Sequence, residues 1–381
     1  MFFAFFPFTY SWSALQGELL SKTLSSVAFT KSISPASYEI EMLVSDWLSE
    51  MLNLPNQFYN KAGPGGGISY STASEAVLTA MSCARLEKPG ISVAYTSDQA
   101  HFSVEKAARV LGIQMRVVPS YFNESIGNYS MDTQKLKDQI ARDKAEGLTP
   151  SIIIGCVGGT NVCAVDDNEA LGIIAQEEKM WFHMDAAYAG SFAILPEFRN
   201  LLKGVEYCTT LNINSSKMLM AGMNCSHMWV KDKALFVRNL AQSSNYLPGK
   251  NDVDLKNWQI PLGRECKALK SWFILQEYGE DGIREHLRKF IEAAKVAENY
   301  VVNDPRLEMV VKRNLSLVVF RVKGENERTD ELINKIAQDE NIFLLGSKIY
   351  NKSIVRFTPG FFTEGHENIH EAFKIIFSYL E

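Results

Sequence analysis

The sequence predicts an α/β fold with a mainly parallel sheet, followed by a smaller α+β domain. Short apolar runs alternate with helical periodicity up to residue 278, as in parallel strands joined by helices. After residue 278 the order changes to a long helix, strands, a helix, strands and a last helix. A chain of 381 residues with 46% hydrophobic content is also too long to fold around a single hydrophobic core, because such cores stop growing near about 250–300 residues. We therefore expect a large domain of residues 1–278 and a small domain of residues 279–381.

The individual elements are predicted from apolar runs and from helix start and stop signals. In the large domain we expect a helix after Pro35, a helix at 131–147, and strands at 91–96, 113–119, 151–157, 181–185, 208–213 and 227–230. In the small domain we expect helices at 281–303, 330–339 and 367–380 and strands near 307–311 and 316–322.

Composition excludes several classes of protein. The net charge is −5 and no run of five basic residues occurs, which argues against nucleic acid or an anionic membrane as a partner. The six cysteines form no C-x-x-C pair and mostly lie in apolar runs, which predicts reduced thiols in a cytoplasmic protein and no metal site. Residues 1–8 are apolar but lack a basic start and are interrupted by Pro7, so we expect no signal peptide. No window approaches the about 20 apolar residues of a membrane span.

Two charged residues lie at the ends of apolar runs and point to one cofactor. Lys217 lies in the motif N-I-N-S-S-K-M, and Asp185 ends the predicted strand 181–185. An amine that forms a Schiff base and a carboxylate that faces a pyridinium nitrogen suit pyridoxal 5′-phosphate (PLP). Ala186 and Ala187 are small enough for a flat ring to approach the backbone. For Lys217 alone, a surface lysine after a strand is an equally good interpretation.

Three further segments carry polar residues where ligands bind in α/β folds. Thr72, Ala73 and Ser74 open a predicted helix and suit a phosphate, although an ordinary helix cap is the favoured interpretation of this motif alone. His101 follows a strand, where an imidazole suits stacking on a cofactor ring, although a histidine that only begins a helix is the favoured interpretation of this residue alone. Thr160 lies beyond a strand at the carboxyl edge of the sheet, where a loop-capping role fits as well.

Taken together, the chain resembles the group II pyridoxal-phosphate-dependent decarboxylases, and among them the aromatic-L-amino-acid decarboxylases. The matching motifs are F-F-A-F-F-P at 2–7, the turn at 72–76, S-D-Q-A-H at 97–101, H-M-D-A-A-Y-A-G at 183–190, P-E-F-R at 196–199 and W-Q-I-P-L-G-R at 258–264. The resemblance covers essentially the whole chain. It implies an aspartate aminotransferase-like fold (fold type I), PLP as cofactor, and decarboxylation of an aromatic L-amino acid to its amine and CO2.

The resemblance also implies roles for individual residues. Lys217 carries the cofactor, Asp185 pairs with its pyridine nitrogen, and His101 stacks on its ring. Further cofactor contacts are implied for Thr72, Ala73, Ser74, Asn214 and Ser216 near the phosphate, and for Thr160 and Ala187 along the ring. Tyr246 lies on a loop that closes over the site and, with His101, supplies a proton to the product. The implied substrate lining is Phe5, Phe6, Pro7, Phe8 and, from the partner subunit of a homodimer, Phe29.

The chain departs from the family pattern at three places. It begins at the F-F-A-F-F-P motif, without the helical segment that precedes this motif in the family, so we expect a weakened dimer. Ser216 and Met218 flank Lys217, where the family has histidine and tryptophan. Phe8 and Gly159 replace a small hydroxyl residue and a threonine, so we expect a substrate pocket of altered shape.

These departures leave three functions open. An aromatic amino acid decarboxylase is the leading interpretation, because the chain has both His101 and Tyr246. The second is an aldehyde-forming relative in which oxygen intercepts the reaction and the amine is lost. The third is a catalytically silent paralogue that binds a partner. Which amino acid is the substrate does not follow from the sequence, since one methylene or hydroxyl group changes the preference of such a pocket.

Overall fold

The computed structural model describes residues 1–24, 27–242, 254–360 and 364–380. The α-helices are α1 (Trp12–Leu24), α2 (Pro35–Met51), α3 (Ala73–Glu87), α4 (Ser103–Leu111), α5 (Thr133–Ala145), α6 (Asn168–Glu177), α7 (Ser215–Met218), α8 (Ala234–Leu240), α9 (Ala268–Asn303), α10 (Asn326–Ile336) and α11 (Glu367–Ser378). The strands are β1 (Gly66–Tyr70), β2 (Ser92–Ser97), β3 (Gln114–Val118), β4 (Ser120–Asn123), β5 (Asn128–Met131), β6 (Thr149–Cys156), β7 (Trp181–Asp185), β8 (Thr210–Ile213), β9 (Ser226–Val230), β10 (Leu307–Met309), β11 (Val318–Val322), β12 (Leu345–Ile349) and β13 (Lys352–Phe357). Within these ranges, no helix has the length and apolar character needed to cross a membrane.

A central sheet organises the first part of the chain. Among the described residues it has seven strands, in the order β1-β9-β8-β7-β6-β2-β3. The strands β3, β2, β6, β7 and β8 run parallel to one another. Strand β9 runs antiparallel to both β8 and β1. The mainly parallel sheet predicted from the sequence is confirmed, and β9 is its reversed strand.

Both faces of this sheet are buried, which explains the unbroken apolar runs of its central strands. On β6, Ile153 packs into the core on one face, whereas Ile152 and Ile154 pack into the core on the other. Helices α2, α5, α6 and α9 contribute to the first core, and α3, α4 and α8 to the second. A parallel strand covered on both sides does not need alternating polar residues.

The helix predicted at 131–147 begins two residues later, at Thr133, because Asp132 caps it. The Asp132 carboxylate accepts hydrogen bonds from the backbone N–H groups of Gln134 and Lys135, each at 3.1 Å. Such a cap satisfies amide donors that have no partner within the helix. The residues before the cap, Asn128–Met131, form strand β5, which pairs with β4 in a hairpin that was not predicted.

Helix α9 is interrupted at Gly279, which has φ 60° and ψ −174°. This conformation is open to glycine and strained for other residues, so the break lies where the sequence permits it. The helix predicted at 281–303 forms the part of α9 after the break. The part before the break, which begins at Ala268, was not predicted.

The C-terminal sheet has the order β10-β11-β13-β12 and is antiparallel. Its core includes Phe3, whose ring stacks on Phe357 with 4.3 Å between ring centroids. The Phe3 N–H donates to the carbonyl of Phe343 (3.0 Å), and the Phe3 carbonyl accepts from the N–H of Thr358 (2.9 Å). The start of the chain is therefore fastened to the C-terminal sheet, and the division at residues 278 and 279 stays a prediction.

A buried ion pair joins α2 to the segment before α9. The Arg264 guanidinium Nη2 lies 2.7 Å from Glu41 Oε1, and both side chains are at most 3% exposed. Arg264 also donates to Gln259 Oε1 (2.7 Å) and to Ser69 Oγ (3.2 Å), while the Ser69 N–H donates to Glu41. Burial opposes ionisation of Glu41, but the Arg264 charge and the Ser69 hydrogen bonds outweigh it and hold the pKa of Glu41 below its usual value.

We predict that Glu41→Gln destabilises the protein, because it leaves the Arg264 charge buried without its partner. The free energy of unfolding should fall by about 3–5 kcal/mol, measured by urea unfolding at a fixed protein concentration. The control is Glu285→Gln, which removes a surface ion pair with Lys289 (2.7 Å) and should change stability little. Equal urea midpoints for the two variants would contradict the prediction.

Candidate active site

The predicted site residues converge on one cavity at the carboxyl edge of the central sheet. Strands β2, β6, β7 and β8 are parallel, so their carboxyl ends meet at this edge. The cavity has a volume of about 240 Å³. The predicted residues that line it are Phe8, Thr72, Ala73, Ser74, His101, Thr160, Asp185, Ala187, Asn214, Ser216 and Lys217.

The remaining predicted residues do not line this cavity. Phe6 is buried directly behind it, with its ring centroid 5.6 Å from Lys217 Nζ. Pro7 is also buried, whereas Phe5 is 54% exposed and contacts Phe2. Phe29 is half-buried and does not line the cavity, so its role towards a partner subunit stays a prediction. Tyr246 lies in 243–253, outside the described residues.

Lys217 is held by a short turn whose polar groups bond to one another. The Asn214 side chain caps α7 by accepting from the N–H of Ser216 (3.1 Å). The Ser216 hydroxyl donates to the carbonyl of Cys225 (3.1 Å) and accepts from the N–H of Cys225 (2.9 Å). On the other side, the Thr9 hydroxyl donates to the Lys217 carbonyl (2.8 Å). The Ser216 hydroxyl therefore closes the loop, while the residue also lines the cavity, and its implied phosphate contact stays a prediction.

The amine of Lys217 has an environment that favours its uncharged form. Among the described residues it has neither a hydrogen-bond nor an ion-pair partner. Burial lowers the pKa of Lys217 from its usual value, and the Arg356 charge lowers it further, while Asp185 and Cys156 act in the opposite direction. An uncharged amine is the form that attacks a carbonyl carbon.

Asp185 is oriented by two donors on one of its oxygens. Its Oδ1 accepts from the N–H of Ala187 (3.1 Å) and from Asn212 Nδ2 (3.3 Å). Asn212 lies opposite Asp185 on the neighbouring strand β8. Within the part of the chain that the structure describes, Oδ2 has no donor, so this oxygen is available to a ligand in the cavity.

His101 lies at the start of α4 and also lines the cavity. Its Nδ1 accepts from the N–H of Ser103 (3.2 Å) at the start of α4 and lies 2.8 Å from Ser103 Oγ. Since Nδ1 is an acceptor, the neutral ring carries its proton on Nε2. Burial lowers the pKa of His101 from its usual value; the Asp185 charge opposes this shift and the Lys217 charge adds to it. Ser103, also in the cavity wall, was not predicted as a site residue.

The segment before α3 likewise serves as a helix cap and as part of the cavity wall. Thr72 Oγ1 accepts from the N–H of Glu75 (3.1 Å), and Glu75 Oε2 accepts from the N–H of Ser71 (2.9 Å). This arrangement is similar to a capping box, except that Glu75 accepts from the residue before the N-cap, Ser71, and not from the N-cap residue Thr72. Thr72, Ala73 and Ser74 still face the cavity at the positive end of a 15-residue helix. This is the favourable place for a phosphate group.

Comparison with known proteins agrees with this arrangement. Residues 1–323 match the family described as pyridoxal-dependent decarboxylase conserved domain. The chain is 38% identical to the aromatic-L-amino-acid decarboxylase of Cavia porcellus over 378 residues, covering 93% of this chain and 78% of that protein. It is also 38% identical to the phenylacetaldehyde synthase of Arabidopsis thaliana over 395 residues, covering 98% of this chain and 80% of that protein.

A solved structure shares the fold over the whole chain. The crystal structure of Oryza sativa TDC with PLP and tryptamine superposes with a TM-score of 0.94 and 32% sequence identity, covering 100% of this chain and 83% of that chain. The chain therefore belongs to the pyridoxal-dependent decarboxylase family, as a PLP-dependent enzyme of fold type I.

Proposed function

We propose that this protein decarboxylates an aromatic L-amino acid to the corresponding amine and CO2. The observation that carries the proposal is the convergence of Lys217, Asp185 and His101 on one cavity beside the start of α3. The similar proteins support an aromatic substrate, since one is named for aromatic L-amino acids and another was solved with tryptamine. Phe8 in the cavity wall and Phe6 behind it supply aromatic surface.

The groups around the cavity fit PLP. A partly exposed amine without a partner, a carboxylate oxygen without a donor, and hydroxyl groups at a helix start match its aldehyde, ring nitrogen and phosphate. We assign the aldehyde to Lys217, the ring nitrogen to Asp185 and one face of the ring to His101. Near the phosphate we place Thr72, Ala73, Ser74 and Asn214, and along the ring Thr160 and Ala187. When bound, PLP withdraws the electrons that the departing carboxylate leaves on the substrate Cα.

The protein's own groups then have three tasks. Asp185 keeps a proton on the ring nitrogen, because a carboxylate near a titratable nitrogen favours the charged form. His101, which carries its own proton on Nε2, holds the substrate in place. Tyr246 delivers a proton to Cα and, with its loop, excludes water and oxygen. This last task rests on the family resemblance.

An aldehyde-forming reaction is the second candidate, because the phenylacetaldehyde synthase is as similar to this chain as the decarboxylase. In that reaction the amino acid, O2 and water give the aldehyde, CO2, ammonia and hydrogen peroxide. The assembled site argues against a catalytically silent paralogue, since Lys217, Asp185 and His101 all face the cavity.

We also propose that the active form is a cytoplasmic homodimer. Large apolar side chains of the N-terminal region are exposed in the single chain, among them Trp12 (80%), Leu19 (60%) and Leu24 (61%). A second copy that covers them would bury this apolar surface. In such a dimer Phe29 would complete the partner's site.

The experiment that tests the function is a substrate panel. Tyr, Dopa, Trp, 5-hydroxy-Trp, Phe and His are each incubated with the PLP-loaded protein, and CO2, amine, aldehyde and hydrogen peroxide are measured. The proposal expects CO2 and amine in equal amounts from at least one aromatic amino acid. Aldehyde with equal peroxide supports the second candidate, and no CO2 from any substrate rejects both.

We predict that Lys217→Ala reduces CO2 release below detection and removes the absorbance of lysine-bound PLP. Lys217→Arg should fail as well, because a guanidinium remains protonated at neutral pH. The matched control is Lys203→Ala, a surface lysine paired with Glu169 at 2.6 Å, which should keep full activity. Normal turnover in either Lys217 variant would remove this lysine from its proposed role.

We predict that His101 titrates below its usual pKa of about 6.5, because burial disfavours the imidazolium. Asp185→Asn should lower the pKa further, since it removes a negative charge that favours protonation. Lys217→Met should raise it, since it removes a positive charge. The measurement is carbon NMR of labelled histidine in the PLP-free chain, with the signal assigned through His101→Gln. A higher pKa in Asp185→Asn would contradict the account of this site.

We predict that Tyr246→Phe shifts the product from amine towards aldehyde while CO2 release continues. Without the phenolic proton, the substrate carbon that lost its carboxylate reacts with oxygen instead. Amine, aldehyde and peroxide are quantified against Tyr121→Phe, which changes an exposed tyrosine and should leave the product unchanged. An undiminished amine yield without peroxide would exclude Tyr246 as the proton donor.

A further inference from the structure

Arg356 is a buried cation that neither the sequence analysis nor the proposed mechanism uses. It lies on β13 of the C-terminal sheet and is only 4% exposed. Its Nη1 donates to the carbonyl of Ala4 (3.1 Å), whereas Nε and Nη2 have no acceptor among the described residues. No carboxylate in the described ranges pairs with it. A buried charge without a counter-charge is costly, so a role other than stability is expected.

Arg356 and Lys217 flank the same aromatic ring. The Arg356 Cζ lies 5.3 Å from the centroid of Phe6, and Lys217 Nζ lies 5.6 Å from that centroid. The Phe6 ring stacks in turn on Tyr188, with 3.5 Å between centroids. The Arg356 Cζ and the Lys217 Nζ are therefore at most about 11 Å apart.

The N-terminal segment, residues 1–9, connects these groups mechanically. Phe3 is bonded to the C-terminal sheet, and Ala4 accepts the hydrogen bond of Arg356. Thr9, at the other end, donates to the carbonyl of Lys217. The segment thus extends from the sheet that carries Arg356 to the turn that carries Lys217, with Phe6 between them.

We propose that Arg356 is a positioning residue of the active site, whose hydrogen bond to Ala4 holds Phe6 beside Lys217 and whose guanidinium lies next to the same ring as the lysine amine. This inference rests on the proposed function insofar as Lys217 carries PLP. Among the groups near Lys217, Asp185 is negative and Arg356 is positive. Burial raises the pKa of the Cys156 thiol well above its usual value and lowers the pKa of His101, so both of these groups favour their uncharged forms. Its charge acts together with burial to keep the amine reactive.

The test measures the Lys217 amine itself. In the full-length, PLP-free chain, competitive labelling with acetic anhydride between pH 7 and 11, read by mass spectrometry, gives the pH midpoint of Lys217. Arg356→Gln keeps a donor for Ala4 but removes the charge, and should raise the midpoint by about one pH unit, as expected for two charges at this distance in a protein interior. Arg356→Lys keeps the charge and should leave the midpoint close to that of the unmodified protein.

The matched control is Arg321→Gln on the neighbouring strand β11, where the guanidinium is paired with Glu308 at 3.4 Å. It should not move the midpoint. An unchanged midpoint in folded Arg356→Gln would overturn the proposal. If that variant does not fold, Arg356→Met, which also removes the charge, decides: a raised midpoint supports the proposal, and an unchanged midpoint overturns it.

The result is separable from the proposed function. The labelling midpoint belongs to Lys217 whether or not this lysine carries PLP, so a failed substrate panel leaves the inference standing. Conversely, an unchanged midpoint in Arg356→Gln would overturn the inference about Arg356 without affecting the proposed decarboxylation. A second measurement tests the mechanical part: Arg356→Met should speed amide hydrogen exchange in the N-terminal segment, and exchange as slow as in the unmodified protein would contradict that part.

Discussion

An amine in water is protonated at neutral pH, with a pKa of about 10.4, and in that state it forms no covalent bond with an aldehyde. The fold places the Lys217 amine where burial and the Arg356 charge oppose protonation, while Asp185 acts against them. The rest of the site depends on this balance. A closer carboxylate would stabilise the protonated lysine in an ion pair, and a fully exposed lysine would also remain protonated.

The central sheet positions one functional side chain of the site, and a short polar turn positions another. Asp185 is fixed at the end of β7 by Ala187 and Asn212. Lys217, in contrast, is carried by a four-residue helix that depends on side-chain bonds from Asn214 and Ser216. The Ser216 hydroxyl bonds to both the N–H and the carbonyl of Cys225, which ties this turn to the following loop. Met218, directly after the lysine, is fully buried in the large core.

The sequence predicts the parts of the fold that local patterns determine and misses those that depend on distant neighbours. The strand ending at Asp185 was predicted with its observed bounds, because burial on both faces leaves an unbroken apolar run. The cap at Asp132 was overlooked, so a helix was extended into a strand. The sequence offers no indication that Ser103 belongs to the site, apart from its position two residues after His101. Arg356 could not be found, since its hydrogen-bond partner Ala4 lies at the opposite end of the chain.

The central claim is that Lys217 is the residue to which PLP attaches. Borohydride reduction of the PLP-loaded protein fixes the cofactor on its lysine, and peptide mass spectrometry then identifies that lysine. The account predicts a phosphopyridoxyl group on the peptide that contains Lys217. The same modification on any other lysine, with Lys217 unmodified, would contradict it.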